Sequence, residues 1–426
     1  MPVGHCTVEI YVDGRWRRAA EVHVTDTEGG TLVASRLEYD FDYVDEIEAL
    51  GARDHRAVSC RYPLGFEEFV LPAWPSFLLD VIPSGAARRW WEARLRLRNV
   101  PRSDWQLLVR GGGNPPGNVR IAEAVEPPDA SAHPGFTRDE IIERNEGFIE
   151  YARERGASIA GGSGAGGDAP KFLLREDEHG RFHADGALED TKTRKAWLVK
   201  FPRSSRAADR LILEAEAPYH RLAARLGARV SEAPAWERDA LFVPRFDRIV
   251  SDNGVRRLGL ESLYSLAGVS DFGVETSKED FASAIARFTT NPSDELRELL
   301  LRDVLDVALG NTDNHGRNTA VLKKLDGRVE LAPIYDFCPM VLDPQGIARV
   351  SRWRTEDGGY PDFARVIDAL AVHGLDTSST RRWMRELGDR VGELPSMMRD
   401  EGVPSQVRET LERRIRRTMT DLTRLR

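Results

Sequence analysis

Two short segments of the chain carry residues that could transfer a phosphoryl group. The first is Gly310-Asn311-Thr312-Asp313-Asn314-His315-Gly316-Arg317-Asn318, and the second is Ile334-Tyr335-Asp336-Phe337. In phosphoryl transfer from ATP, one carboxylate, here Asp313, positions the attacking hydroxyl and accepts its proton. The amide oxygen of Asn318 and the carboxylate of Asp336, which closes a short apolar strand, would hold the magnesium ions that bridge the phosphates. The spacing therefore predicts a kinase.

Each of these side chains also has a more common structural role. Asp313 could cap a helix, Asn318 could stabilise a turn, and Asp336 could be an ordinary surface carboxylate. Asp336 lies between apolar neighbours, however, where an unpaired charge is costly, and magnesium would supply the missing partner. His315 is favoured as a hydrogen-bonding brace of the loop, and a general base that competes with Asp313 is the alternative. No spacing of histidines and cysteines in the chain suggests zinc.

A glycine-rich segment, Gly161–Lys171, is a candidate cover for the phosphates. Gly164, Gly166 and Gly167 let backbone N–H groups approach phosphate oxygens without interference from a Cβ atom. The segment is not a P-loop, because the Gly-Lys-Ser/Thr ending is missing. It is not a dinucleotide fingerprint either, because a strand-like run follows it. Taken alone, such a segment is more often a flexible linker.

Lys200 lies in an apolar strand, Trp197–Pro202. A lysine in such a place usually points to solvent at a strand edge. The functional alternative is the strand lysine that binds ATP phosphates and is oriented by a helix carboxylate. Glu216, in the helix that follows, is the first candidate for that carboxylate, and Glu214 is the second.

The composition is typical of a soluble globular protein with two or three domains. The chain has 426 residues, of which 41% are hydrophobic and 31% are charged. A net charge of -8 and a pI near 5.7 argue against broad binding to nucleic acid. Three widely spaced cysteines indicate a reducing cytoplasm, and neither a signal peptide nor a membrane span is expected.

The elements that position these residues follow one another in the order of an α+β protein with two lobes behind an extra domain. Residues 1–110 form a mixed domain with a hairpin that turns at Asp13-Gly14 and a helix near Pro75–Val81. Residues 111–155 are a linker and a helix that opens with a capping box at Thr137 and runs to about Arg155. Residues 156–250 form a small sheet with one helix that stops at Gly227. Residues 251–426 form a helix-rich lobe, with a helical period from Lys278 to Leu309 and a hairpin that turns at Asp326-Gly327.

Together these segments resemble the HipA family of bacterial serine/threonine kinases, the toxin components of toxin–antitoxin modules. The resemblance covers nearly the whole chain and rests on short matches at Phe77–Gly85, Gly166–Lys171, Val199–Pro202, Arg245–Arg248, Gly310–Asn318 and Tyr335–Phe337. It implies a bilobal protein-kinase-like fold with an N-terminal mixed α/β subdomain and a helix-rich C-terminal lobe. It also implies ATP and Mg²⁺ as cofactors.

The resemblance implies roles for single residues. Asp313 would be the catalytic base, and Asn318 and Asp336 would be the magnesium ligands. Lys200 would contact the ATP phosphates, with Glu216 as the helix glutamate of the family. The other cofactor-binding positions are the loop residues Gly164, Gly166, Gly167 and Lys171, the adenine hinge Pro244, Arg245 and Phe246, and Asp247 near the ribose.

The chain departs from the family pattern in the glycine-rich segment. The family commonly has an autophosphorylated serine seven residues before the loop lysine, and that position here is Gly164. Ser163, one residue earlier, is therefore the candidate for autophosphorylation, with Ser158 as the alternative. After Asp336-Phe337 the chain has Cys338 in place of the glycine of ordinary protein kinases, a difference that this family shares.

The resemblance also implies an acceptor and a partner. The acceptor would be a translation component such as an aminoacyl-tRNA synthetase, and the partner would be a small DNA-binding antitoxin. Three alternatives stay open: a kinase of a small molecule or lipid, a HipA-like kinase with no toxic role, and a non-catalytic scaffold that binds ATP or an antitoxin. The complete set of Asp313, Asn318 and Asp336 argues against the scaffold.

Overall fold

The computed structural model describes residues 3–49, 55–98, 100, 102–125, 133–154, 158–159 and 169–425. Within these ranges the chain forms an N-terminal subdomain and two further lobes, each with its own cluster of buried apolar side chains. No helix of the described ranges is long and apolar enough to cross a membrane.

A five-stranded antiparallel sheet forms the centre of the N-terminal subdomain. Its strands are β1 (Gly4–Val12), β2 (Arg15–Val24), β3 (Ser35–Tyr39), β4 (Phe69–Leu71) and β5 (Val119–Ile121), in the spatial order β4-β3-β2-β1-β5. The helices of the subdomain are α1 (Phe41–Ala49), α2 (Leu78–Val81), α3 (Gly85–Arg94) and α4 (Asp104–Gly111). Cys6, Val8 and Ile10 alternate along β1 into the core, and the opposite face of β1 carries polar residues such as His5.

In this subdomain the predicted hairpin turn is present, and the predicted helix is shorter than expected. The hairpin predicted at Asp13-Gly14 is confirmed, since the two residues have φ values of 51° and 82°, as a two-residue turn between twisted strands requires. The helix predicted near Pro75–Val81 is shorter, because only Leu78–Val81 is α-helical.

The helix predicted from Thr137 to about Arg155 is not continuous. Thr137 does form the capping box, because its side chain accepts from the Glu140 N–H and the Glu140 carboxylate accepts from the Thr137 N–H. Two helices then replace the predicted one, α5 (Arg138–Ile142) and α6 (Glu146–Glu154). Arg144 between them has a φ of 52°, which an α-helix does not accommodate.

A second antiparallel sheet forms the first lobe and aligns the two predicted lysines. Its strands are β6 (Ser158–Ile159), β7 (Lys171–Asp177), β8 (Phe182–Ala184), β9 (Thr193–Lys200), β10 (Ala235–Glu237) and β11 (Ala240–Pro244), in the order β10-β11-β9-β7-β6, with β8 paired to β7. The register of β7 and β9 places Lys171 directly opposite Lys200. Opposite residues of an antiparallel pair project from the same face, so the lysines lie side by side.

One long helix, α7 (Ala207–Leu226), links the first lobe to the second and carries Glu216. Its end at Gly227 is confirmed, because this glycine adopts the left-handed conformation with a φ of 92°. Tyr219, Leu222 and Leu226 on α7 pack into the core of the second lobe. The helix therefore holds Glu216 in a fixed position between the lobes.

The second lobe is mostly helical. Its helices are α8 (Leu263–Ala267), α9 (Lys278–Phe288), α10 (Pro292–Ala308), α11 (Phe363–Leu370), α12 (Thr377–Gly392), α13 (Leu394–Asp400) and α14 (Ser405–Thr423). Its strands are β12 (Arg248–Ser251), β13 (Gly254–Arg257), β14 (Gly259–Ser262), β15 (Ala320–Lys323), β16 (Val329–Leu331), β17 (Glu356–Asp357) and β18 (Tyr360–Pro361). The helical period from Lys278 to Leu309 is two helices, since Pro292 opens α10.

The hairpin that turns at Asp326-Gly327 is confirmed, and it is formed by β15 and β16. The prediction that Asp336 closes the returning strand is wrong, because β16 ends at Leu331. Asp336 lies in the loop beyond it, with a φ of 49°. This loop, rather than a strand, carries the carboxylate to the lysines of the first lobe.

Candidate active site

Two lysines and two carboxylates form an ion cluster between the lobes. Asp336 pairs with both lysines: Lys171 Nζ lies 3.0 Å from Asp336 Oδ2, and Lys200 Nζ contacts Asp336 Oδ1. Lys200 Nζ also lies 2.5 Å from Glu216 Oε1. Glu216, rather than Glu214, is therefore the helix carboxylate that orients the strand lysine.

The Lys200–Asp336 pair is charged in spite of its burial. Burial alone would raise the pKa of Asp336, but Lys171 and Lys200 lower this pKa far below its usual range. Burial would likewise lower the pKa of Lys200, and Asp336 and Glu216 raise it above its usual value. The expectation that Asp336 lacks a partner within the protein is wrong, because two lysines compensate its charge.

Asp313 lies in a loop after α10 whose shape is fixed by its own asparagines. Asn318 Nδ2 donates to the backbone carbonyl of Asp313 at 2.8 Å. Asn314 Nδ2 donates to the carbonyl of Ser351 at 2.8 Å, which ties the loop to the segment that precedes β17. We call residues 311–318 the catalytic loop. Its Asp313 and Asn318 line the same cleft as Asp336.

His315 is a buried, neutral side chain of the catalytic loop. Burial, together with the charge of Arg317, lowers the pKa of His315 to about 4. Nδ1 accepts the backbone N–H of Arg317 at 3.2 Å, which leaves the ring proton on Nε2, 3.5 Å from Asp313 Oδ1. The ring also stacks on Tyr264, with 6.4 Å between ring centroids. Neither nitrogen offers a lone pair to a substrate, so the geometry favours the brace over the general base.

The carboxylate of Asp313 is suited to accept a proton. The residue is 8% exposed, and its Oδ1 has no hydrogen-bond partner in the described part of the chain. Burial and the neighbouring charge of Asp336 raise the pKa of Asp313 to about 6. A carboxylate with a raised pKa is a better proton acceptor near neutral pH than an ordinary aspartate.

Oxygen donors that suit magnesium converge in this cleft, which is lined by Asp313, Asn318, Asp336 and Asp343. Magnesium binds carboxylate and amide oxygens together with water. Asn318 uses its Nδ2 within the loop, which leaves its Oδ1 for a ligand. The residues present therefore fit the magnesium that the resemblance implies.

A mostly apolar cavity of about 220 Å³ adjoins the lysines. Leu173, Leu198, Val243 and Tyr335 contribute to its walls. The predicted hinge, Pro244–Phe246, also lines it, and the N–H of the hinge arginine donates to the carbonyl of Ala196 at 3.0 Å. A mostly apolar cavity is suited to a planar base.

Asp247, which the resemblance places near a ribose, is an internal counterion of the hinge. Its carboxylate accepts hydrogen bonds from Arg245, from Arg248 and, at 2.8 Å, from the N–H of Gly117. Burial alone would raise the pKa of Asp247, but the two arginines lower it to about 2. Asp247 lines the apolar cavity, and its contact with a ribose stays a prediction.

No sequence pattern indicated that the N-terminal subdomain contributes to the site. Residues 79–84 and 114–116 form part of the wall of the apolar cavity. Asp80 accepts the N–H of Ser262 at 2.9 Å and lies 3.9 Å from Arg317 Nε. The guanidinium of Arg317 is buried, and none of its nitrogens has a hydrogen-bond partner in the described chain. Arg317 is therefore a buried cation at the border of the cavity and the catalytic loop, with Asp80 as its counterion.

Four predicted residues of the glycine-rich segment, Ser163, Gly164, Gly166 and Gly167, lie outside the described residues. The segment connects β6 to β7, and β7 begins at Lys171. In the β6–β7 pairing Ile159 lies opposite Lys171, so the two strands that flank the segment are adjacent. The roles of the four residues stay predictions.

Gly316 lets the catalytic loop pack against two buried rings. An added Cβ atom would lie 2.6 Å from Phe281 Cζ and 2.6 Å from Tyr264 Cδ1. We expect Gly316→Ala to displace the loop and to lower the free energy of unfolding by about 1–3 kcal/mol, measured by chemical denaturation. Gly186→Ala is the matched control, because its added Cβ meets no atom within 4 Å. Equal stability of the two variants would contradict the packing described here.

Over most of its length this chain is similar to proteins of one family. Residues 20–122 match the model of the HipA N-terminal domain, and residues 163–415 match that of the HipA-like C-terminal domain. The Sinorhizobium fredii (strain NBRC 101917 / NGR234) protein named "Putative kinase Y4mE" is 28% identical over 317 residues, or 69% of this chain and 71% of that protein. HipA of Shewanella oneidensis MR-1, solved with HipB and operator DNA, matches with a TM-score of 0.63 and 18% identity over 98% of this chain and 96% of that chain.

The structural match confirms the predicted α+β fold of bilobal, kinase-like type behind an N-terminal mixed subdomain. The two family models together cover most of the chain, and the C-terminal model alone covers more than half of it. The chain therefore belongs to the HipA family of kinase-like proteins.

Proposed function

We propose that this chain is an ATP- and Mg²⁺-dependent serine/threonine protein kinase. The observation that carries the proposal is the convergence of Asp313, Asn318 and Asp336 with the Lys200–Glu216 pair in one cleft. These residues come from the catalytic loop, the loop after β16, the strand β9 and the helix α7, which only the fold brings together. Family membership and the kinase relative support the same class.

On the donor side, the residues of the cleft act through charge and position. Lys171 and Lys200 bind phosphate oxygens, and Glu216 keeps Lys200 oriented. Asn318 and Asp336 would hold magnesium, which when bound neutralises charge on the phosphates. The adenine would lie in the apolar cavity beside Pro244–Phe246, and the glycine-rich segment would cover the phosphates.

On the acceptor side, Asp313 accepts a hydrogen bond from the attacking hydroxyl and orients it for in-line attack. It takes the proton as the bond between the hydroxyl oxygen and the γ-phosphorus forms, and the bond from the γ-phosphorus to the β–γ bridging oxygen breaks, so that ADP leaves with that oxygen. Asn318 holds Asp313 through a hydrogen bond to its backbone carbonyl, and His315 braces the catalytic loop by accepting the Arg317 N–H, with Nε2 3.5 Å from Asp313 Oδ1. The role of His315 is thus to position the base.

The partners follow from the family and are part of the proposal. The acceptor would be a protein, such as an aminoacyl-tRNA synthetase, and Ser163 would be the site of autophosphorylation. A small DNA-binding antitoxin would be the partner, which the solved complex of Shewanella oneidensis HipA with HipB and operator DNA supports. The proposed location is the cytoplasm.

Nucleotide binding tests the donor side directly. With Mg²⁺·ATP at about 100 times its Kd, the wild type should gain about 2.7 kcal/mol and unfold several degrees higher. Asp336→Ala should lose most of this gain, because it removes a magnesium ligand and the counter-charge of Lys171 and Lys200. Differential scanning fluorimetry with ATP alone, and with ATP and MgCl₂, measures the unfolding temperatures of the wild type and of Asp336→Ala.

Asp326→Ala, on the exposed hairpin turn, is the control and should gain as much from Mg²⁺·ATP as the wild type. A magnesium-dependent shift that persists in Asp336→Ala would show the metal assignment to be wrong.

A further inference from the structure

Two histidines and a glutamate converge on the polar face of the N-terminal sheet, away from the cleft between the lobes. The residues are His5 on β1 and Glu21 and His23 on β2. Their ligand atoms, one from each side chain, all lie within 4.8 Å of one another. The proposed kinase function uses none of them.

The register of the sheet produces this convergence. His5 lies directly opposite His23, and Glu21 is two residues away from His23 on the same strand, so the three side chains share one face. Both imidazoles aim Nε2 at the same carboxylate oxygen: His5 Nε2 lies 2.6 Å and His23 Nε2 lies 3.6 Å from Glu21 Oε2. The ring centroids are 4.8 Å apart.

A second carboxylate, that of Glu38, lies beside these three side chains. Glu38 on β3 lies directly opposite Glu21, and its Oε1 is 3.6 Å from His23 Nε2. Like charges directly opposite each other destabilise a sheet, so a cation between these strands would be favourable. Arg18 contacts Oε1 of Glu21, which leaves Oε2 as the oxygen that faces the histidines.

We propose that His5, Glu21 and His23 bind a zinc ion, with Glu38 or water as the fourth ligand. Zinc takes imidazole nitrogen and carboxylate oxygen in a tetrahedral arrangement, and two histidines with one glutamate are a known set of three protein ligands. Magnesium and calcium prefer oxygen ligands alone, so the imidazoles select a transition metal. The ion would join β1 to β2, and with Glu38 as the fourth ligand it would join β3 as well.

The sequence carries no zinc signal because the ligands follow sheet register and not a short repeat. His5 and His23 are separated by a complete hairpin, and Glu38 lies on the next strand. The sequence contains none of the known short zinc-binding spacings. Such spacings do not describe ligands that are far apart in the sequence and are brought together by strand pairing.

Zinc binding by the tag-free, full-length chain tests the proposal. After treatment with EDTA and dialysis, the protein is titrated calorimetrically with ZnCl₂ in excess MgCl₂, which occupies oxygen-rich sites. We expect one zinc per chain in the wild type. His5→Gln and His23→Gln should each weaken binding by at least about 100-fold, more than the roughly 10–100-fold cost of disturbing an outer partner.

A matched control separates this cluster from ordinary surface histidines. His179 lies 3.8 Å from Glu178 on an exposed turn and belongs to no three-ligand group of the described residues. His179→Gln should bind zinc as the wild type does. All variants should unfold at the same temperature in EDTA, because the histidines are partly exposed, and added zinc should raise the unfolding temperature only where both His5 and His23 remain.

Zinc-edge X-ray absorption of the loaded wild type should show two imidazoles at about 2.0–2.1 Å. The proposal is overturned if the wild type binds zinc weakly at several sites, or if His5→Gln and His23→Gln bind it as the wild type does. In either case the cluster is a set of surface ion pairs. Neither outcome depends on phosphoryl transfer, so the kinase proposal stands or falls separately.

Discussion

Asp313→Asn should reduce the rate of phosphoryl transfer by about 10²–10⁴-fold and leave the fold and the affinity for Mg²⁺·ATP nearly unchanged. Asparagine has almost the same shape as aspartate, and it cannot accept the proton of the attacking hydroxyl. The Asp313 side chain carries little of the loop structure, because Asn318 Nδ2 bonds to the backbone carbonyl and not to the carboxylate Oδ1. The loss should therefore fall on the chemical step.

Initial rates of transfer from γ-labelled ATP measure this effect, with kcat and the KM for ATP determined separately. The rate constant kcat should fall and KM should stay close to that of the wild type. Asp326→Asn, an exposed turn aspartate, is the matched control and should retain full activity. A variant Asp313→Asn that keeps more than about a tenth of wild-type kcat would contradict the role of general base.

Asp303→Asn should lower the free energy of unfolding by about 3–5 kcal/mol. Asp303 is fully buried in α10, where it pairs with Lys278 and, at 2.7 Å, with Arg349. Its Oδ2 also accepts the indole N–H of Trp353 at 2.7 Å. Removing this one negative charge leaves two buried cations with less compensation, which is the costly way to break a buried ion pair.

The same residue predicts how stability depends on pH. Burial alone would raise the pKa of Asp303, but Arg349 and Lys278 lower it to about 2, below the value of about 3.9 in an unfolded chain. The contribution of Asp303 is therefore complete above about pH 4 and is lost as the pH falls toward about 2. Urea denaturation at a series of pH values should show a smaller acid loss of stability in Asp303→Asn than in the wild type.

Asp294→Asn, at the exposed first turn of the same helix, is the control for Asp303→Asn. It removes a charge near the positive end of the helix and should cost no more than about 1 kcal/mol. Equal denaturation midpoints for the two variants would contradict the importance of the ion pairs that Asp303 makes with Lys278 and Arg349.

Asp303→Asn should also loosen the catalytic loop. The reason is that the Ser351 carbonyl, which accepts a hydrogen bond from Asn314, lies between Arg349 and Trp353, the two partners of Asp303 on that segment.

Features fixed by a few neighbouring residues could be predicted from the sequence. The hairpin at Asp13-Gly14, the capping box at Thr137 and the helix end at Gly227 each follow from the backbone preference of one or two residues. The short segments that match the family were sufficient to predict the bilobal fold and the pairing of Lys200 with Glu216. They follow one another along the chain in the order of the family, and this order indicates which elements lie between them.

Features that depend on distant partners could not be predicted in the same way. The sequence around Asp336 gives no sign of Lys171, which β7 brings within 3.0 Å of it from the other lobe. Asp80 reaches the catalytic loop only because the N-terminal subdomain docks there. The break between α5 and α6 lies at Arg144, which has a positive φ. The residue types around Arg144 did not indicate this break.

Identification of the labelled species after transfer from γ-labelled ATP tests the central proposal most directly. The chain is incubated with a cell lysate and MgCl₂, and the acid-precipitated protein is hydrolysed for phosphoamino acid analysis. We expect labelled phosphoserine or phosphothreonine in protein with the wild type, and none above background with Asp313→Asn. Label that appears only in a small metabolite or lipid, or that is equal for the two chains, would contradict a serine/threonine protein kinase.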